Sequence, residues 1–231
     1  MHPTSMPKLT GVLLIVTPIV FMIAFTLLQM NFEYPDILTQ PTDYVLQKFS
    51  AGGAGLVATW YVFMLTAILF VPISVLLHPF LAREDTAYMS LATVVGVLAG
   101  VVQFLGLIRW SFAVPYLTQT YLDPASSQAT RDAVVVAFQM LHRYAGSGIG
   151  ETLGYLFTSV WSLLISLAMI RSAYFKPWVG WLGVPLALAI LVGVFPLPIA
   201  ETVNAIGYTV WAVWLMLVGI LLLMQSGKHT K

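Results

Sequence analysis

Three side chains stand out by type and spacing: His142, Arg143 and Glu151, within the run RDAVVVAFQMLHRYAGSGIGETLGY. An imidazole, a guanidinium and a carboxylate are the groups that relay protons, hold anions and form ion pairs. Here they flank glycines 146, 148 and 150 in an otherwise apolar stretch. On an unbroken helix Arg143 and Glu151 lie about two turns apart on one face. A break at the glycines would let them meet directly, and would put Glu151 in a first helical turn, where the dipole favours an anion. Arg109 lies upstream and Glu201 downstream. Glu201, Asn204 and Tyr208, at i, i+3 and i+7, share one helical face. The ligand-binding or polar-cluster candidates are therefore Arg109, His142, Arg143, Glu151, Glu201, Asn204 and Tyr208, with Gln103 nearby on its own helix. One reading is structural, an ion-pair cluster that locks helix ends and a polar seam between helices. The other is a ligand, ion or proton site built from the same residues.

Several chemistries lose their footing. The chain has no cysteine, which removes disulfides, thiolate metal sites and thiol nucleophiles. A haem held by two histidines needs them at matched depth, and His78 and His142 fall on opposite sides of the expected bundle. No HExxH run, no Glu-x-x-His pair and no phosphate-binding glycine loop with its lysine occurs. The expectation is no cofactor and no metal. Ser147 beside His142 and Glu151 has the types of a nucleophilic triad, and the glycine-rich flanks make that arrangement imaginable; without geometry it ranks below the other readings.

The elements that must position these groups follow from the solvent. Of 231 residues, 59% are hydrophobic and 8% charged, whereas a soluble domain carries roughly 25% charged residues. Most of the chain has no water to face, so lipid is its surroundings. The net charge of +1 gives no electrostatic case for nucleic acid. In lipid, backbone polar groups are satisfied within helices. Six stretches are long and apolar enough, at residues 9–30, 52–77, 88–108, 150–170, 178–195 and 202–224. The first is a retained span and not a cleaved signal, because Asn31, Phe32 and Glu33 follow it in place of small residues. After it, Pro41 suits a helix start, and Val45, Leu46 and Phe49 share one face, which predicts a short amphipathic helix in the membrane interface. Residues 109–149 form the longest connection, with a turn at LDPASSQ and a helical stretch from Arg131 to Tyr144 that leads into the fourth span through a bend or break.

Lysine and arginine counts set the orientation. With the N-terminus inside, Lys8, Arg83, Arg171, Lys176, Lys228 and Lys231 lie on the cytoplasmic side, against Lys48, Arg109, Arg131 and Arg143 outside. Both termini are then cytoplasmic, and the candidate polar residues gather in the outer leaflet. Trp60, Tyr61, Trp110, Tyr116, Tyr121, Trp178 and Trp181 fall where interfacial anchors belong, while Trp161, Trp211 and Trp214 are placed deeper, between helices. Gly96 and Gly100 form a GxxxG pair that suits internal packing and dimerisation equally.

The segments FEYPDILTQPTDYVLQKFSAGG, LHRYAGSGIGETLGYLFTSVW and PWVGWLGVPLALAILVG resemble a prokaryotic six-span membrane family known only as a domain of unknown function, of the 4386 type. The resemblance covers most of the chain. It implies an integral bacterial or archaeal membrane protein and carries no activity or residue role with it. The sequence thus reads as one all-α domain, residues 1–231, a polytopic transmembrane bundle of six helices with a short interfacial helix after the first span and a broken or bent entry to the fourth. It is expected in the prokaryotic cytoplasmic membrane, partnered by the lipid bilayer, by a small-molecule or lipid ligand and by further copies of itself. The leading function is non-enzymatic: an outward-facing polar pocket. The alternatives are a membrane-embedded enzyme using His142 and Glu151 for acid–base chemistry, and a structural subunit of a membrane complex.

Overall fold

The computed structural model describes residues 5–226; the expectations about Lys228 and Lys231 lie outside the described residues. Among them every regular element is helical: α1 (Ser5–Phe32), α2 (Thr42–Ile68), α3 (Phe70–Leu81), α4 (Met89–Leu107), α5 (Arg109–Leu122), α6 (Gln128–Leu141), a π-helical segment (His142–Leu153), α7 (Gly154–Ile170), α8 (Pro177–Val192) and α9 (Ala200–Ser226). Five stretches are long and apolar enough to cross a bilayer: Met6–Phe32, Thr42–Leu81, Met89–Leu122, Gln128–Ile170 and Ala200–Gln225. The sixth expected span, α8, has 16 residues, or about 24 Å of helix, and packs between α7 and α9. The chain is a multi-pass helical membrane protein.

The long stretches exceed what a bilayer needs. The 34 residues of Met89–Leu122 would measure about 51 Å if straight, against a hydrocarbon core of roughly 30 Å. The surplus builds a second layer. One apolar core, around Leu14, Ile73, Leu77, Trp161, Ile165 and Val218, lies within the bundle. Another joins the end of α1, the start of α2, α5 and α6, through Phe32, Val45, Leu46, Phe49, Trp60, Trp110 and Phe138. The connection expected over residues 109–149 is therefore mostly helix. Arg109 does not close the third span; it opens α5, whose last residue is Leu122. The reason is that α5 and α6 bury Trp110, Val114, Val134 and Phe138 against this second core, a tertiary gain absent from a local window.

The short helix after the first span is the opening part of α2. It turns into the span at Gly53, whose φ of 53° is a left-handed value that costs glycine nothing. Its Val45, Leu46 and Phe49 face is covered by protein: Phe49 lies edge-on to Phe32 and stacked on Trp110. Between α2 and α3 the helix is interrupted at Leu69, because Pro72 has no N–H for the Ile68 carbonyl and its ring crowds that group. The turn at LDPASSQ forms as expected. Asp123 Oδ1 accepts the Ala125 N–H, and Ser127 caps α6 by accepting from the Thr130 N–H.

The GxxxG pair packs internally. A Cβ on Gly96 would stand 2.3 Å from Ser74 Oγ and 2.4 Å from the Trp161 ring, and one on Gly100 would stand 3.0 Å from the Ala67 carbonyl. Trp161, Trp211 and Trp214 are buried between helices; Trp211 Nε1 donates to Ser162 Oγ and Trp214 Nε1 to the Val179 carbonyl.

Candidate functional site: a buried arginine where the two cores meet

The entry to α7 bends without breaking. From Gln128 to Ile170 the chain is one helical stretch, and residues His142–Leu153 widen it into π-helix. Single π-turns are frequent at functional sites; twelve residues in succession are unusual. The Thr152 hydroxyl donates to the Ser147 carbonyl, five residues back, and braces the wide turn. Small residues allow close packing here. A Cβ on Gly106 would stand 2.5 Å from the Gly150 Cα, so α4 and the π segment meet backbone to backbone.

Arg109 lies at this junction and is 7% exposed. Its guanidinium rests on Gly146, where an added Cβ would come within 2.6 Å of Nη2. Nη1 donates to the Gly106 carbonyl, beside the interruption of the helix at Ile108, and Cζ stands 5.3 Å from the Trp110 ring centroid. Among the described residues no carboxylate forms an ion pair with it. Among the described residues the ion pairs are Lys48–Glu33 and Arg83–Asp85, both partly exposed. The expected cluster of ion pairs is thus not formed: Arg109 and Arg143 clamp neither Glu151 nor Glu201. Removing one partner of a buried pair typically costs about 3–5 kcal/mol, because the other is left uncompensated. Arg109 sits in that costly condition as folded.

The surroundings are aromatic and short of acceptors. Trp60 and Trp110, both 0% exposed, stack with centroids 4.7 Å apart and planes 8° off parallel. Phe32 meets both edge-on, and Phe138 meets Trp110 at 6.1 Å. The indole N–H groups of Trp60 and Trp110 are enclosed without a hydrogen-bond partner, as is His142 Nδ1. Such groups cost roughly 1–3 kcal/mol each when left unpaired. The two tryptophans are therefore not interfacial anchors. Tyr116, Trp178 and Trp181 do stay exposed, as anchoring requires.

Charges flank Arg109 on two sides, because Gly146, on which it rests, has His142 about one wide turn before it and Glu151 about one after it on one face of the π segment. On one, Glu151 lies within electrostatic reach, with Ser147 beside its carboxylate and Glu201 beyond. Tyr34 belongs to this flank, its ring 5.2 Å from Trp60. Its enclosed hydroxyl is pushed up to about 12 by burial, with Glu151 adding to the shift and Arg109 opposing it. On the other flank His142 feels two charges, Arg109 and the exposed Arg143, and no carboxylate. The His142 ring stacks on Phe138 at 6.3 Å.

The remaining candidates part company with this group. Asn204 is buried and donates to the Ile190 carbonyl, tying α9 to α8. Tyr208 packs between Tyr155 and Trp211, and Gln103 donates to Thr158 Oγ1, tying α4 to α7. Glu201 is exposed at the start of α9. So Arg109, His142, Arg143 and Glu151 gather at one junction, while Asn204 and Tyr208 bind helices together. Sequence reasoning passed over Tyr34, Phe138 and Gly106, saw in Gly146 only part of a bend, and misplaced Trp60 and Trp110. Their only shared signal is residue type, scattered over segments remote in sequence. No group of three or more metal-ligating side chains occurs among the described residues.

No curated protein and no solved structure matches the chain. The sequence profile of one family does, over residues 9–219, from the start of α1 nearly to the end of α9 and so across the whole Arg109 junction. The chain belongs to that family, described as Domain of unknown function (DUF4386).

Proposed function

We propose that this chain is a non-enzymatic binding protein of a prokaryotic cytoplasmic membrane, which holds a small or amphipathic ligand at the Arg109 junction. Both termini are cytoplasmic in this reading, and the junction lies toward the outer face. The observation that carries it is the guanidinium of Arg109: buried and, among the described residues, hydrogen-bonded to a single protein carbonyl and without a carboxylate ion pair. A guanidinium has five N–H donors. A fold that needed only packing there would do better with an apolar side chain, since replacing buried charge by hydrophobic residues is often stabilising.

The acid–base alternative has less support. His142 and Glu151 make no hydrogen bond to each other among the described residues: Ser147 stands beside the Glu151 carboxylate, whereas His142 Nδ1 has no partner. A catalytic pair needs hydrogen-bond reach to one site.

Native mass spectrometry of the protein extracted in mild detergent tests the binding reading. A non-covalently bound species is expected on the wild-type chain and reduced on Arg109→Gln, with helix content by circular dichroism unchanged. A bare wild-type mass across detergents of differing harshness refutes it.

A further inference from the structure

The Arg109 guanidinium rests on Gly146, with His142 about one wide turn before that glycine and Glu151 about one after, on one face of the π segment. The carboxylate therefore lies to one side of the guanidinium, and the imidazole with its neighbour Arg143 to the other. The groups with unused hydrogen-bonding capacity are also one-sided. Arg109 and the two indoles can only donate, and His142 Nδ1, enclosed and unpartnered, donates in one tautomer. An arrangement of donors and two guanidinium groups matches an oxyanion, which takes arginine bidentately. It repels cations, and it offers a neutral polyol few acceptors.

The surface beside this flank is greasy. Val136, Met140 and Tyr144 are 62%, 61% and 69% exposed. They recur every four residues and make a stripe along α6 and the π segment that ends next to Arg143. An oxyanion site beside an apolar stripe, in a chain that spans the membrane, fits an anion carried on an acyl chain. Resting on the binding reading above, we infer that the His142 flank of Arg109 holds the phosphate or carboxylate headgroup of an anionic lipid, between Arg109 and Arg143, with the acyl chain along Val136 and Met140. A free phosphate shares the headgroup chemistry and lacks the tail.

Thermal unfolding of detergent-solubilised protein, with defined additives, separates the possibilities. The probes are phosphatidylglycerol, oleate, phosphatidylcholine and inorganic phosphate. The inference expects phosphatidylglycerol or oleate to raise Tm, phosphatidylcholine to do much less, and inorganic phosphate to act only at far higher concentration. Arg143→Gln, at an exposed position, should weaken the effect roughly tenfold in apparent Kd. Arg109→Lys should retain part of what Arg109→Gln loses. Equal stabilisation by phosphatidylcholine would leave a binding protein but overturn the charge selection. Stabilisation by inorganic phosphate as strong as by the lipids would keep the oxyanion and overturn its lipid source. A response to anionic lipid that survives Arg109→Gln and Arg143→Gln together would overturn the placement. No stabilisation by any of the four would remove this inference, while a co-purifying species of another class would still uphold the binding reading.

Discussion

At the scale of single residues, the environment of Tyr34 makes a signed prediction. Its phenol is pushed from 10.0 to about 12, first by burial and then by the Glu151 charge. A group whose pKa is higher folded than unfolded stabilises the fold fully below the unfolded value. That contribution is lost as pH rises from about 10 through about 12. Tyrosinate absorbance should show the Tyr34 component, defined by subtracting a Tyr34→Phe titration, appearing only toward the upper end of that window. A component at the ordinary phenol value would mean that the hydroxyl is not enclosed. Glu33 works in the opposite sense. Hydrogen bonds from Lys48 and Tyr44 hold its carboxyl below the ordinary 4.5, so its stabilising contribution is present above that value and fades as pH falls through the lowered one. Glu33 also has a φ of 54°, the left-handed value that lets α1 end at Phe32 and turns the chain toward Tyr34. These are local events with a long reach, since Tyr34 then joins the Arg109 junction. The sequence flagged the ionisable groups of that junction. It did not reveal that Tyr34 would join them, because proximity across about 75 or more positions of chain is not written in any window.

At the scale of elements, the π segment and α4 are held together by absent side chains. A Cβ at Gly150 would come within 2.9 Å of the Gly106 Cα, which is backbone and cannot swing aside. At Gly148 the nearest atom to an added Cβ is the Arg143 carbonyl oxygen at 3.4 Å. Gly150→Ala should therefore destabilise by about 1–3 kcal/mol through overpacking, and Gly148→Ala should stay within about 0.5 kcal/mol of wild type. Denaturation in matched detergent reads both. Equal losses at the two positions would show that glycine flexibility, and not close approach, is what the segment uses. Here the sequence was half legible. Three glycines near charged groups announced an irregular helix, and the fourth span ends at Ile170 as expected, within a helical stretch that already begins at Gln128. That the irregularity is a widened turn and not a break follows from the contact with Gly106, which only folding supplies.

At the scale of the whole molecule, two cores share one set of helices, and the Arg109 junction lies on their border. This arrangement ties topology to function. The chain has no cysteine, so single-cysteine variants report sidedness without background. Asp123→Cys, in the exposed turn between α5 and α6, should react with an impermeant maleimide on intact cells. Ala173→Cys, between α7 and α8, should react only after permeabilisation. The reverse pattern would place the junction on the cytoplasmic side and turn the lipid headgroup site toward the inner leaflet.

Composition and hydropathy alone established a membrane protein made of helices, where its apolar spans run, and which ionisable residues lie among them; α5, inside an expected connection, was not legible that way. Burying an apolar span and satisfying its backbone are local requirements, so local sequence meets them openly. What stands beside a buried charge was decided by folding: Arg109 against Gly146, two stacked tryptophans sealed behind it, and Glu151 left short of an ion pair. Contacts between remote segments are fixed by how whole helices pack, and residue spacing along the chain does not encode them.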